Sequence, residues 1–392
     1  MIKLISRALI TSILWLILSH GLSAQEYELS LGENEIEYSS LANFKLKVNS
    51  LKTGTREKVR IVHIGDSHIQ ADKFTGEIRN QLQKVYGNGG RGLVFPFSLA
   101  KTNGPKDYNA ESTDNLLVCK NVEYIKKFPI GIMGITLKSQ AESGTINMKF
   151  GIDSVKNRFT NSLLIYSAEK ESNITLNNTK EQETIEHNSK MYDTLRTIHS
   201  TLQNHINIDW QGKKFSLHGL YLENSTPGII YNTIGINGAR FKDYCATDYF
   251  FEQLELIKSD LIIISLGTNE SYSSKYTDED FTKYINLFLS KLKEVCPNTD
   301  VILTCPSENY HLRKNVPVEN QRVQNVNLIL RQTAQKNKMA IWDLYKVMGG
   351  KGSMKVWKME GLINPDYVHF RRDGYKLQGR LFFEALVDVL SK

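Results

Sequence analysis

The chain has 392 residues, of which 41% are hydrophobic and 23% are charged. This length fits about two globular domains, and the composition is not that of a disordered protein. The formal net charge is +7, but the basic residues are scattered and accompany no recognition motif. Nucleic-acid binding is therefore not expected, and the charge supports at most a mild attraction to anionic surfaces.

The first 24 residues have the pattern of a secretory signal peptide. Lys3 and Arg7 form a short basic region, the mostly apolar run Ala8–Leu18 follows, and two small residues precede Gln25. The apolar run is shorter than the ~20 residues that a membrane-spanning helix needs, and no cysteine follows it to carry a lipid. We therefore expect an exported protein, periplasmic or extracellular, with no stable membrane insertion after cleavage.

Short apolar runs that alternate with helical patterns predict a doubly wound α/β domain with a parallel sheet. The predicted strands are Val59–Ile64, Ile229–Ile234, Leu261–Leu266, Val301–Thr304 and Met339–Trp342. Apolar residues at helical spacing predict helices over residues 74–85, 281–295 and 375–390. Thr277, followed by acidic residues, is a suitable N-cap for the second of these helices.

The alternation of strands and helices is interrupted between residues 108 and 223. This stretch is rich in Asn, Thr, Ser and Lys, and turn residues separate short strand-like pieces, as in an antiparallel sandwich. The pieces are Thr145–Ile152, Ser162–Tyr166, Asn173–Leu176 and Asn207–Trp210. We predict an all-β domain over residues 108–223, inserted into an α/β domain formed by residues 25–107 and 224–392.

Two further features are expected to be structural. Cys296 and Cys305 stand at opposite ends of a predicted strand, beyond disulfide reach, so the four cysteines do not indicate a disulfide scaffold. The glycine-rich run Gly87–Gly92 lacks the Lys-Ser/Thr pair of a phosphate-binding loop. We expect a tight surface loop there.

The run Gly65-Asp66-Ser67-His68 lies between the first predicted strand and the first predicted helix. A serine at this point has its backbone N–H at a helix N-terminus, at the carboxyl edge of the sheet. Open α/β sheets bind ligands at that edge, and helix N-termini stabilise anions. Taken alone, the run could equally be a turn with an N-cap serine.

Two more motifs follow predicted strands and could supply hydrogen-bond donors. Gly267-Thr268-Asn269-Glu270 offers the Asn269 amide, which can donate to an oxyanion. Gly235-Ile236-Asn237-Gly238 offers the unobstructed N–H of Gly238. Each motif alone is also consistent with an ordinary loop.

The run Asp366-Tyr367-Val368-His369 precedes the last predicted helix. Its spacing allows the carboxylate to bond one ring nitrogen of His369 and to orient the other nitrogen toward a nucleophile. Alone, the pair could be a hydrogen-bonded structural histidine. Together, the motifs supply a nucleophile (Ser67), a base (His369) with its orienting acid (Asp366), and oxyanion donors from Ser67, Gly238 and Asn269. This set is sufficient for acyl transfer without a metal or an organic cofactor.

In this order the motifs resemble the SGNH hydrolase family, which is named for four residues that correspond here to Ser67, Gly238, Asn269 and His369. The paired acid of the family corresponds to Asp366. The resemblance covers the α/β portion at both ends of the chain. It implies a three-layer α/β/α flavodoxin-like domain and a serine esterase.

Within that family, four runs resemble the peptidoglycan O-acetylesterase branch. They are GDSHIQAD at Gly65–Asp72, GINGA at Gly235–Ala239, GTNE at Gly267–Glu270 and DYVHF at Asp366–Phe370. Members of the branch carry a β-sandwich, resembling a carbohydrate-binding module, between the first two motifs. The resemblance therefore implies removal of O-acetyl groups from a polysaccharide, first of all peptidoglycan. The insert has no motif of its own that indicates sugar binding.

Other functions remain open from the sequence. An acetylxylan esterase, another carbohydrate esterase or a sugar O-acyltransferase would use the same acyl-enzyme chemistry. A metal-dependent phosphoesterase fits the GDxH pattern of the first motif, but Asn269-Glu270 has no histidine beside it to complete a ligand set. The Gly-x-Ser-x-Gly elbow of the larger α/β-hydrolases is absent. An inactive glycan-binding protein would not need the intact Ser67, Asn269, Asp366 and His369.

Overall fold

The computed structural model describes most of the chain from residue 29 onward. The described ranges are 29–151, 157–177, 182–184, 191–275 and 277–392. The predicted signal peptide lies outside these residues. Within them, no helix has both the length and the apolar character needed to cross a membrane.

The helices are α1 (Ala42–Lys52), α2 (Ser67–Gln70), α3 (Lys73–Tyr86), α4 (Phe241–Cys245), α5 (Phe250–Glu255), α6 (Thr268–Tyr272), α7 (Asp278–Val295), α8 (Arg322–Lys336), α9 (Leu344–Val347), α10 (Ser353–Met359) and α11 (Arg372–Ser391). In the described residues, five helices have 11 to 20 residues (α1, α3, α7, α8 and α11) and the others are shorter.

The strands belong to a central sheet, to two further antiparallel sheets and to a small hairpin. They are β1 (Ile36–Glu37), β2 (Lys58–Gly65), β3 (Asn88–Gly90), β4 (Gly92–Val94), β5 (Tyr108–Ser112), β6 (Leu117–Lys120), β7 (Ile135–Lys138), β8 (Ser143–Phe150), β9 (Phe159–Ser167), β10 (Asn173–Leu176), β11 (Gln182–Thr184), β12 (Asp193–Gln203), β13 (His205–Gln211), β14 (Ser216–Glu223), β15 (Gly228–Gly235), β16 (Leu261–Ser265), β17 (Asp300–Cys305), β18 (Tyr310–Arg313), β19 (Val316–Glu319) and β20 (Ala340–Asp343).

The central sheet confirms the predicted α/β fold. Its strand order is β1-β20-β17-β16-β2-β15-β3, and all neighbours are parallel except β1 and β20. The five strands predicted from apolar runs are β2, β15, β16, β17 and β20. Numbered along the chain, they lie in the order 2-1-3-4-5, which is the flavodoxin-like arrangement. The edge strands β1 and β3 were not predicted because they have only two and three residues.

Two groups of helices cover the central sheet. Helix α3 packs against α1 and α11 in one group, and α7 packs against α4, α5 and α8 in a second group. Right-handed crossovers on either side of β2 place the two groups on opposite faces, which gives three layers. The N-terminus predicted for α7 is capped as expected, because the Thr277 side chain accepts the N–H of Asp280 at 3.0 Å.

The strands between residues 108 and 223 form two antiparallel sheets. One has the order β10-β13-β8-β5 and the other β11-β12-β9-β14-β7-β6. Strand β4, which precedes this range, pairs with β14. The chain therefore leaves the central sheet after β3 and returns to it at β15. The limits of an inserted domain stay a prediction.

The expectation of a surface loop at Gly87–Gly92 is wrong. This run forms β3 and the start of β4, and its central residues are buried. A Cβ atom at Gly90 would lie 2.5 Å from Cα of Glu223, so glycine is needed for close backbone approach. Between the glycines, the Arg91 side chain is 1% exposed and forms an ion pair of 2.8 Å with Asp72.

All four cysteines have free thiols. Cys296 directly follows α7 and Cys305 ends β17, so the two stand at opposite ends of a strand, as expected. Burial raises the pKa of Cys245 to about 12 and that of Cys296 to about 11. These thiols are therefore poor nucleophiles near neutral pH.

Candidate active site

Three adjacent strands of the central sheet end at the same level. In the register of the sheet, Gly65 at the end of β2 lies opposite Gly235 of β15 on one side and Ser265 of β16 on the other. Because the three strands are parallel, their carboxyl ends meet at one edge of the sheet. The motifs that follow them, which contain Ser67, Gly238 and Asn269, are therefore brought to that edge.

Glycines allow the helix that begins at Ser67 to sit directly on these strand ends. A Cβ atom at Gly65 would lie 2.3 Å from Cγ1 of Ile69, and one at Gly235 would lie 2.5 Å from the backbone nitrogen of Gln70. Both distances are too short for any side chain. The absence of side chains at these two positions thus fixes where Ser67 stands.

The three side chains predicted as a catalytic set form one hydrogen-bonded chain. Oγ of Ser67 lies 2.9 Å from Nε2 of His369, and Nδ1 of His369 lies 2.9 Å from Oδ2 of Asp366. The second oxygen, Oδ1, accepts the backbone N–H groups of Val368 and His369, each at 2.9 Å. The carboxylate is therefore fixed in place by its own loop, and it orients the imidazole toward the serine.

Opposing effects set the pKa values of this pair. Burial would raise the pKa of Asp366, but hydrogen bonds from the His369 ring and from the N–H groups of His369 and Val368 lower it to about 2. The hydrogen bond with Asp366 raises the pKa of His369 above its ordinary value of 6.5, and burial opposes this rise. The neutral imidazole that can accept a proton from Ser67 therefore predominates only at a somewhat higher pH than in a free histidine.

The candidate oxyanion donors line the same open cleft, which has a volume of about 560 Å³ and also contains Ser67 and His369. Gly238 adopts a φ of +82°, and no atom lies within 4 Å of the position that a Cβ atom would take, so this residue faces open space. The Asn269 amide already donates to Oδ2 of Asp66 and to the carbonyl of Ala239, each at 3.0 Å. Asn269 can therefore reach an oxyanion only by sharing one of these hydrogens.

Two buried carboxyl groups accept hydrogen bonds from the segments that carry the candidate donors. Asp66 and Glu270 are each 1% exposed. Burial raises the pKa of Asp66 to about 7, although the N–H of His68 opposes this, and burial raises the pKa of Glu270 to about 8. Oε1 of Glu270 accepts the N–H of Phe241 at 2.8 Å. This bond ties the Asn269 motif to the loop that carries Gly238.

A second histidine holds the ring of His369. The His68 ring stacks on it with centroids 5.1 Å apart and an interplanar angle of 29°, and its Nδ1 lies 3.0 Å from the Tyr375 hydroxyl. Burial lowers the pKa of His68 to about 3, and the charge of His369 contributes to the decrease. A neutral ring therefore covers one face of the His369 ring and limits its rotation.

Sequence reasoning assigned no supporting role to Asp66, His68 or Glu270. Each is a direct neighbour of a predicted site residue, and that adjacency was the available signal. Their partners Tyr375 and Phe241, however, belong to other segments, and no spacing pattern connects them to the motifs.

The comparisons with known proteins agree with this fold. Residues 214–377 match the family model described as "GDSL-like Lipase/Acylhydrolase family". The solved structure described as "Peptidoglycan O-acetylesterase in action, 5 min" is similar, with a TM-score of 0.77 and 22% identity over 91% of this chain and 99% of that chain. At this identity, the likeness shows the fold.

Two other solved structures match only 41% of this chain. A GDSL-like lipase from Bacteroides thetaiotaomicron VPI-5482 has 21% identity and a TM-score of 0.32, with 76% of that chain covered. A catalytic mutant of an acetylxylan esterase from Geobacillus stearothermophilus has 18% identity and a TM-score of 0.33, with 73% covered. Among curated proteins, none matches this sequence.

Replacing Glu270 with Gln is expected to stabilise the protein increasingly as the pH rises. Because the pKa of Glu270 is about 8 in the folded state and ordinarily 4.5, the wild type loses stability as the pH rises through this window. Glutamine resembles the protonated acid and has no such loss. The difference in free energy of unfolding should grow by at most about 1.4 kcal/mol per pH unit. Chemical denaturation at several pH values measures it, and a difference that does not vary with pH would refute the assignment.

Proposed function

We propose that this chain, whose residues 214–377 match the GDSL-like lipase/acylhydrolase family model, is an exported serine esterase that removes O-acetyl groups from peptidoglycan. The observation that carries the proposal is the hydrogen-bonded chain from Ser67 through His369 to Asp366 at the edge of an open cleft. The similar fold of the peptidoglycan O-acetylesterase over 91% of this chain supports it.

In the proposed first step, neutral His369 takes the proton from Oγ of Ser67 while this oxygen attacks the carbonyl carbon of the ester. The positive charge that develops on the imidazole is stabilised by the Asp366 carboxylate, 2.9 Å from Nδ1. Stacking on the neutral His68 ring keeps Nε2 directed at the serine. The product is a tetrahedral intermediate with a negative charge on the former carbonyl oxygen.

We propose that the backbone N–H groups of Ser67 and Gly238 and the amide of Asn269 stabilise this oxyanion. Asn269 does so by sharing a hydrogen that Asp66 or Ala239 accepts in the free protein. Such a contact strengthens as charge develops on the oxygen, so it lowers the barrier more than it tightens substrate binding. The Ala239 and Asp66 bonds hold the amide in place beforehand.

Collapse of the intermediate releases the sugar hydroxyl, which takes the proton from His369, and leaves an acetyl group on Ser67. A water molecule then gives its proton to His369 and attacks the acetyl carbon. The second intermediate collapses to acetic acid, which ionises to acetate in solution, and His369 returns the proton to Ser67. Each proton that His369 accepts is thus returned within the cycle.

Charge and polarity in the cleft favour an anionic polysaccharide. Lys73 lines the cleft and can pair with a carboxylate of the substrate, whereas the Asp366 carboxylate in the same lining is already hydrogen-bonded to His369. Peptidoglycan carries carboxylates on its peptide stems, whereas the backbone of xylan is neutral. Peptidoglycan also lies outside the cytoplasmic membrane, where the proposed signal peptide would direct the protein.

The Ser67→Ala variant is expected to lose at least about 10⁴-fold in kcat, because it removes the hydroxyl that lies 2.9 Å from Nε2 of His369. Acetate release from O-acetylated peptidoglycan, acetylated xylan and an aryl acetate measures this loss. The exposed Ser98, whose hydroxyl bonds only the Ala110 carbonyl at 3.4 Å, provides a matched Ser98→Ala control with full activity.

A metal chelator should leave the acetate release unchanged. In the described part of the chain, no three His, Cys, Asp or Glu side chains form a group that could hold a metal ion. Activity that survives Ser67→Ala but disappears with the chelator would contradict the proposal in favour of a metal-dependent phosphoesterase.

The activity should fall as the pH drops through a value above 6.5, because the pKa of His369 is raised by Asp366 and only the neutral ring accepts a proton. Asp366→Asn should move this acid limb to lower pH and reduce kcat by on the order of 10⁴. The pH dependence of kcat/KM for an aryl acetate measures both effects. Asp373→Asn, an exposed carboxylate in the first turn of α11, is the control. If the acid limb of Asp366→Asn stays at the wild-type pH, a group other than His369 is responsible for it.

A further inference from the structure

The helix that carries Asn269 also carries an aromatic side chain on the same side. Tyr272 follows Asn269 by three residues in α6, and residues at this spacing share a helix face, with Cβ atoms about 5–6 Å apart. Both residues line the cleft that contains Ser67. The Tyr272 side chain therefore lies beside the residue whose amide is proposed to bind the oxyanion.

The Tyr272 ring is exposed but supported from behind. Its side chain is 39% exposed, and the ring packs against His311 of strand β18, with centroids 4.2 Å apart and an interplanar angle of 41°. Support from a second ring reduces the rotational freedom of the tyrosine. It thus presents a flat and preorganised apolar surface to the cleft.

The hairpin β18–β19 that supplies His311 is fixed to both sides of the site. The side-chain amide of Asn320, directly after the hairpin, donates to the Ser271 carbonyl of α6 at 3.0 Å. The backbone N–H of Tyr310, at its start, donates to the Tyr367 carbonyl at 3.1 Å. The aromatic pair is therefore held in a fixed position relative to Asn269 and to the loop that contains Asp366 and His369.

We propose that Tyr272, backed by His311, is the stacking subsite for the pyranose ring whose ester is cleaved. The C–H face of a pyranose is apolar and packs on an aromatic face, whereas its rim of hydroxyl groups needs hydrogen-bond partners. The side chains of Asn103, Asn237 and Asn364 line the same cleft and offer amide donors and acceptors. This inference rests on the proposed function and adds the position of the sugar.

A fatty acyl chain fits this surface less well. An exposed ring beside amide side chains cannot bury successive methylene groups, which is what drives the binding of long acyl chains. The subsite thus selects for the sugar side of the ester, not for the acyl side.

Glycan binding by the inactive Ser67→Ala protein tests the subsite directly. The Ser67→Ala protein is titrated calorimetrically with O-acetylated disaccharide-repeat fragments of peptidoglycan glycan strands. Addition of Tyr272→Ala should weaken the affinity about tenfold, whereas Tyr272→Phe, which keeps the ring, should restore it. Tyr272→Leu keeps the apolar volume without the flat face and should behave as the alanine variant. Thermal unfolding verifies that each variant is folded.

Steady-state kinetics of proteins that retain Ser67 distinguish a failure of this inference from a failure of the proposed function. Tyr272→Ala should raise KM for O-acetylated glycan about tenfold, and by a larger factor than for ethyl acetate, which has no ring to stack. Equal losses on the two substrates, or unchanged affinity in the titration, would overturn the subsite while leaving the esterase in place. A wild type that cleaves ethyl acetate but neither binds nor deacetylates any glycan would overturn the proposed function and the subsite together.

Discussion

The site depends on three parallel strands that end flush, with Gly65 of β2 between Gly235 of β15 and Ser265 of β16. A shift in this register would move the serine away from its donors. The two glycines let helix α2 pack directly on the strand ends, where a Cβ atom would approach other atoms to 2.5 Å or less. The backbone therefore determines where Ser67 stands, and side-chain contacts then align the remaining residues.

The carboxyl groups of the site differ in pKa because their surroundings differ. Asp366 is partly exposed and accepts bonds from His369 and Val368, which lower its pKa to about 2 and keep it ionised. Burial instead raises the pKa of Asp66 to about 7 and that of Glu270 to about 8. Carboxyl groups can thus supply a permanent charge beside His369, and groups that are partly or mostly protonated at neutral pH beside the segments of Asn269 and Gly238.

Much of the fold followed from the sequence because buried parallel strands are continuous apolar runs. Segments without such a signal were missed, such as the two-residue β1, and the Gly87–Gly92 run was assigned to the surface because close backbone packing leaves no pattern. The Ser67–His369 contact spans 302 residues, yet it was predictable because each partner lies in a chemically distinctive motif. The Tyr375–His68 contact spans 307 residues and was not predictable, because an isolated tyrosine carries no such signal. The domain limits, the roles of the site residues and the export of the protein stay predictions.

The acyl-enzyme is the central claim of this account, and the mass of the intact protein tests it most directly. The protein is mixed with an aryl acetate, quenched in acid within the first turnovers and analysed by mass spectrometry with peptide mapping. We expect a population that is heavier by about 42 Da, with the acetyl group on Ser67, and no such population for Ser67→Ala. Rapid acetate release by the wild type without this adduct, or an equal adduct on the Ser67→Ala protein, would contradict the mechanism.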